Sequence, residues 1–353
     1  MPRTVLFAEI AGFYAAIERV EDPSLAARPV IVGGDPRKRG RVQAATPDAL
    51  VMGVQPDMPM LEALQRCPEA RAIRTNMRRY REVGRELLAS LRGVYPHLEK
   101  FGLGGAYAEL GNVQRAPEEI AEEMRKAVQE HLGLPLRVGL AGNKFLARLA
   151  AEEAGLTGVH RIPDGSESAF LGPLSVARLD GVGEKTASRL AELGAHTIAD
   201  VVTLGRDRLQ EVFGAHGLRI HALAAGEDAE PVRATRHAQS VSREATLAAG
   251  ATDTPSLVEQ LATLAQELEE ELGRQQLAAG RVALKVRYID QGTVTRSETL
   301  ASPSTQASRF CEAAVRLLAR TQAEALPVRG LGLQLTSLSP ASDSDRQLDL
   351  FRE

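Results

Sequence analysis

Two glycine-punctuated turns are the clearest places where this sequence sets out residues for chemistry. In LDGVGEKTASRLAELG (179–194) a hydrophobic residue leads into Gly181-Val-Gly183 and then into a helix-like run that opens on polar residues. Such glycines let the backbone turn tightly, and the free amides at the start of the following helix can hold a phosphate without reading a base. Lys185 and Thr186 stand where they would add a charge and a hydroxyl. A second copy, FGAHGLRIHAL, carries Gly214 and Gly217. Together they form a helix-hairpin-helix pattern, whose chemistry is sequence-independent contact with duplex phosphates. Downstream, Arg233, Arg236 and Arg243, with the hydroxyls of Ser240 and Ser242, make a basic stretch with no helical period. The arginines between Arg71 and Arg92 do recur at helical spacing, which suits a solvated helix face as well as a nucleic-acid contact. Cys67 and Cys311 are far apart and lack partners at metal-ligand spacing, so they read as reduced structural thiols.

The elements that must position these groups are readable from periodicity. With 353 residues, 44% hydrophobic and 25% charged, the chain has room for several folded domains. Its net charge of −3 lacks the basic excess of a typical DNA-binding domain, so any such binding must rest on local charge. Glu9 interrupts the apolar N-terminal stretch and no cleavage site follows, which predicts a cytoplasmic protein without membrane association. Residues 3–8 and 29–32 read as strands and 13–20 as a helix start. Segments 76–94 and 116–132 read as helices flanking a hairpin at 100–110, followed by a strand at 136–141 and a helix at 143–154. An all-helical stretch spans 166–228. After a polar segment at 231–240, strands at 282–289, 292–300 and 328–336 alternate with helices at 254–275 and 304–325.

An α/β region, then helical hairpins, then an α+β module is also the order of the Y-family (DinB/UmuC-type) translesion DNA polymerases. LFAEIAGFYAAIE (6–18) resembles the first motif of that family, RPVIVGG (28–34) its next strand, and VMGVQPDMPMLEALQRCPEA (51–70) its fingers. KFGLGGAYAEL (100–110) resembles its Ser-Ile-Asp-Glu-Ala strand, and VGLAGNKFLARLAAEEAGLTGV (138–159) its Asn-Lys-containing segment. The resemblance implies a multi-domain α+β right hand. Its palm would be 1–19 with 76–165, its fingers 20–75, its thumb 166–230, its linker 231–240 and its little finger 241–337, with a tail at 338–353.

It also implies where catalysis should reside, and there the sequence departs from the family. Two-metal phosphoryl transfer needs carboxylates that hold a pair of divalent ions. At the three family positions this chain has Glu9, Gly104 and Gly105, and Ala11 replaces a further aspartate. Where the fingers carry a tyrosine and an arginine for the triphosphate it has Pro47 and Leu50, and Gly155 stands at the palm lysine. Tyr14, at the sugar-discriminating aromatic position, is retained. On these residues the chain is expected to be no enzyme and to hold no Mg²⁺, similar in kind to the ImuB proteins. It would then bind DNA and assist an active error-prone polymerase and an accessory mutagenesis protein in damage tolerance. Arg287, Arg296 and Arg329, with the basic stretch, would follow the DNA backbone. The tail residues Gln347, Leu348, Asp349, Leu350 and Phe351 resemble the peptide that docks on the replicative sliding clamp. Two other readings stay open: a working translesion polymerase with a metal site reorganised around Glu9 and Glu109, and a structural regulator that occupies DNA or the clamp.

Overall fold

The run VLFAE buries every side chain except its last, as the central strand of a sheet covered on both faces must. It is β1 (Val5–Glu9) of a computed structural model that describes residues 3–111, 114–233, 239–251, 254–289 and 292–341, with backbone alone over 248–251. The chain divides into two compact units, Met1–Arg236 and His237–Glu353.

In the first unit, β1 turns through Gly12, in the left-handed region at φ 60°, into α1 (Phe13–Glu21). A small sheet follows, made of β2 (Val30–Gly33), β3 (Val42–Ala45) and β4 (Arg71–Arg74) in the order β3-β2-β4, with α2 (Pro47–Val51) and α3 (Met60–Arg66) between β3 and β4. Next come α4 (Met77–Val94), the antiparallel pair β5 (Leu98–Phe101) and β6 (Gly105–Glu109), α5 (Pro117–Leu132), β7 (Arg137–Ala141), α6 (Lys144–Glu153) and β8 (Gly158–Arg161). The main sheet has the order β5-β6-β1-β7-β8. Alternation divides its two faces. Leu6, Ala8, Ala106, Val138 and Leu140 pack beneath α4 and α5, while Val5, Phe7, Tyr107 and Ala141 pack with Phe145 and Leu149 of α6. The latter core continues into α7 (Glu167–Leu171), α8 (Glu184–Glu192), α9 (Ile198–Leu204), α10 (Arg206–Phe213) and α11 (Ala215–Ala224).

Among its described residues the second unit is one antiparallel sheet with two helices on a single face. Its strands β9 (Ser240–Ala251), β10 (Leu277–Tyr288), β11 (Thr293–Ser304) and β12 (Val328–Pro340) lie in the order β11-β10-β12-β9. Leucines of α12 (Thr254–Gln275) and Phe310 and Leu317 of α13 (Ala307–Leu318) pack on Val282, Leu284, Val286, Leu331, Leu333 and Leu335. The mixed α/β, multi-domain architecture expected from sequence is the one observed. The strand β9 was not read from sequence, and α13 stops at Leu318 instead of running to 325. No helix among the described residues is long and apolar enough to cross a membrane.

Candidate active site and nucleic-acid surfaces

Antiparallel register puts Glu9 between Gly105 of β6 and Arg137 of β7. The Glu9 carboxylate, 19% exposed, accepts hydrogen bonds from Nε of Arg137 at 3.0 Å and from its Nη2. The two glycines beside it do more than omit carboxylates. A Cβ on Gly104 would stand 2.8 Å from Cβ and Cγ of Phe13, and one on Gly105 would stand 2.9 Å from the Ala8 carbonyl oxygen. The first turn of α1 thus occupies the space that a side chain at 104 would need. Glu109 shares a rung with Val5, four residues from the rung of Glu9 and so about 13 Å along the strand, and its carboxylate is paired with Arg3 at 3.2 Å. Glu9 and Glu109 are therefore not brought together. Among the described residues no group of three or more His, Cys, Asp or Glu side chains could hold a metal ion. A single carboxylate already engaged by a guanidinium does not fit a pair of Mg²⁺ ions, which need several hard oxygen ligands.

Beside Glu9 opens a cavity of about 350 Å³, walled by Phe13, Tyr14, Ala44, Leu50, Phe101 and the two glycines. Among the described residues its lining contains no Lys or Arg, so a triphosphate would meet none of their cations there. Pro47 opens α2, where its missing N–H is harmless, and Leu50 is 43% exposed at the rim. Gly155 lies just beyond α6 at φ 77°, a left-handed position that ends the helix and that a lysine would occupy only with strain. Tyr14 keeps a place on the cavity wall, with its ring stacked 4.4 Å from that of buried Tyr80.

The first glycine turn joins a short 3-10 turn, Val176–Arg178, to α8. Gly181 turns at φ 84°, exposed Gly183 caps α8 with no side-chain cap hydrogen bond among the described residues, and Lys185 and Thr186 sit in the first turn beside Glu184. Gly214 opens α11 at φ 61°. Gly217 is buried within α11, where a Cβ would stand 2.0 Å from the Leu209 carbonyl oxygen, so it lets α10 and α11 approach each other.

Sequence reasoning missed a buried charge cluster at the start of α6. The Lys144 ammonium reaches both oxygens of Glu99 at 3.0 Å and Glu230 at 3.1 Å, and lies over the Tyr107 ring. The Arg233 amide donates to Glu99 at 2.8 Å, the Phe145 amide to Asp228 and the Asn143 side chain to the Gly226 carbonyl. The segment leaving α11 is thereby fastened to the main sheet. The signal was a lysine inside the apolar run GLAGNKFLARLAA.

In the second unit strand alternation sorts the expected basic residues. Arg243 and Arg296 lie on the helix-bearing face, where Arg243 pairs with Glu271 at 2.9 Å and Arg296 donates to the Arg320 carbonyl. The open face carries Ser240, Ser242, Arg281, Lys285 and Arg287. Arg329 is exposed at an irregularity of β12. Arg236 and the tail residues Gln347 to Phe351 lie outside the described residues.

Residues 9–152 match the impB/mucB/samB family, and residues 238–350 match the C-terminal domain of that family. The chain is 35% identical to DNA polymerase IV of Alkalilimnicola ehrlichii, covering 99% of each protein, and 33% identical to that of Halorhodospira halophila, covering 99% and 98%. DNA polymerase IV 1 of Bacillus subtilis is 31% identical over 99% of this chain and 85% of its own length. Among solved structures, a Y-family DNA polymerase chimera of Dbh and Dpo4 matches with a TM-score of 0.78 at 22% identity, covering 95% and 98% of the two chains. DinB from Sulfolobus solfataricus matches with 0.70 at 22% identity, covering 96% and 100%. These relatives correct two expectations drawn from Glu9, Gly104 and Gly105, that the chain is no enzyme and that it takes no Mg²⁺. Proteins that it matches from end to end are named DNA polymerases, and polymerases work through bound divalent ions. Substitutions at a few positions are poor ground for removing a whole chain from its family's chemistry. The misfit of the donor set is confined to those positions.

Proposed function

The chain belongs to the Y-family (DinB/UmuC-type) DNA polymerases, the impB/mucB/samB family, and from that membership we propose that it works on DNA as a translesion polymerase whose active site is reorganised around Glu9. The observation that carries this reading is the end-to-end match to proteins named DNA polymerase IV. Three features of the chain support it. The cavity beside Glu9 has aromatic and aliphatic walls suited to a base and sugar, with Tyr14 retained on them. The amides at the starts of α8 and α11, with Lys185 and Thr186, suit duplex phosphates. The open face of the second unit carries Arg281 among hydroxyls, with Lys285 and Arg287 beside it paired to Glu244. Because no Lys or Arg among the described residues lines the cavity, nucleotide is held weakly and KM for it is high.

The finer parts of the reading follow from the sequence. The tail Gln347-Leu348-Asp349-Leu350-Phe351 docks on the sliding clamp, and tethering there offsets a weak charge-driven affinity for DNA. In the cytoplasm the protein serves damage tolerance and induced mutagenesis alongside an error-prone polymerase and an accessory mutagenesis protein. Primer extension with Mg²⁺ and with Mn²⁺ tests the core of the proposal. Incorporation that disappears in Glu9→Ala supports it. No incorporation with either ion, while primer–template is still bound, refutes nucleotide transfer and leaves DNA and clamp binding alone. Deleting 347–351 is expected to abolish clamp binding and spare DNA binding.

A further inference from the structure

The open face of the second unit contains one feature that opposes the charge around it. Lys285, Gly332 and Glu244 share a rung across β10, β12 and β9. Gly332 has no side chain, so Glu244 lies across it, and a Cβ there would stand 2.9 Å from Cγ of Glu244. The Glu244 carboxylate reaches Nζ of Lys285 at 2.9 Å and Nη2 of Arg287 at 3.1 Å. Its hydrogen bond to Lys285, with the charges of Lys285 and Arg287, holds its pKa below the usual range for glutamate. All three side chains are 42–49% exposed, and one carboxylate bridges the two cations, one oxygen to each.

We propose that Glu244 is a built-in surrogate for a nucleic-acid phosphate: it occupies Lys285 and Arg287 on the open sheet face and withholds them from the DNA backbone. This rests on the reading that the chain binds DNA. A carboxylate and a phosphate oxygen accept the same charge-assisted hydrogen bonds, so they compete for the same two cations. Exposed ion pairs are weak, so the lock is set to yield rather than to hold. It lowers affinity and salt dependence, and with them residence on DNA.

The test is anisotropy of labelled primer–template on the full chain over a salt series. Glu244→Gln is expected to tighten binding about three- to ten-fold at low salt and to steepen the slope of log K against log salt by about one to two, the effect of up to two added phosphate contacts. Gly332→Ala, which pushes Glu244 aside without changing charge, should act in the same direction. Glu259→Gln, which removes an exposed acid elsewhere in the unit, should not. Adding Lys285→Gln and Arg287→Gln to Glu244→Gln should cancel the gain. Unchanged affinity in Glu244→Gln, or a gain that survives loss of both cations, overturns the proposal while wild-type binding still stands. Failure of the wild type to bind DNA at all overturns the DNA-binding reading and the proposal with it.

Discussion

Restoring a carboxylate at Gly104 is not a local change. The new Cβ would meet Phe13, a wall of the cavity, and overpacking of this kind costs about 1–3 kcal/mol. Gly104→Asp is therefore expected to lower the urea midpoint without creating a Mn²⁺ site measurable by titration calorimetry. Arg137→Gln should cost about 1–3 kcal/mol, because it leaves the largely buried Glu9 carboxylate without its guanidinium, and adding Glu9→Gln should recover part of the loss in a double-mutant cycle. Nearby, burial and then the hydrogen bond to Glu18 push the Tyr80 phenol well above the ordinary tyrosine range. Tyr80 thus stabilises the fold fully below its unfolded pKa, about 10, and loses that contribution as pH rises toward its folded value. Stability measured from pH 9 to 11.5 should fall less steeply in Tyr80→Phe than in the wild type. At this scale the sequence disclosed what is missing but not what replaces it. Gly104 and Gly105 could be recognised as the wrong residues, whereas Arg137 meets Glu9 across 128 positions of chain, and only strand register brings them together.

Helices with a strong apolar period were legible, and α4, α5, α6 and α12 lie where spacing placed them. The strand β9 escaped because one of its inward positions is the charged Arg243, satisfied by Glu271 and Glu267 of α12, so alternation of polarity does not mark it. The fastening at the start of α6 escaped for a related reason: a buried lysine looks like an error until its partners from β5 and from beyond α11 are known. Lys144→Met should cost about 3–5 kcal/mol by removing the ammonium that pairs with Glu99, which is 3% exposed and keeps its bond from the Arg233 amide, and hydrogen exchange should quicken over 226–233. In the helical hairpins the two flanking glycines of the second copy differ in kind. Gly217→Ala is expected to destabilise by pressing α11 off α10, whereas Gly214 faces open space at a left-handed φ.

Each of the two units owns a hydrophobic core, so calorimetry on the whole protein is expected to show two transitions. Leu284→Ala, a cavity-forming change costing about 2–5 kcal/mol, should lower only the one belonging to the second unit. The order of regions along the chain could be read from composition and motif, because each has its own periodicity. Which face each arginine of the second unit takes could not, since alternation fixes faces only once the register is known. That register has a consequence for how such a chain can vary in length. The strands β9, β10 and β12 place leucines, valines and Arg243 against the helices and serines, glycines and Lys285 on the opposite side. Unless a bulge absorbs it, as at the irregularity between Val328 and Gly330, inserting or deleting one residue within any of them would exchange the two sets from that point on, whereas a change of two residues would preserve them. Natural length differences in this unit should thus fall in the connections between strands or come in even numbers.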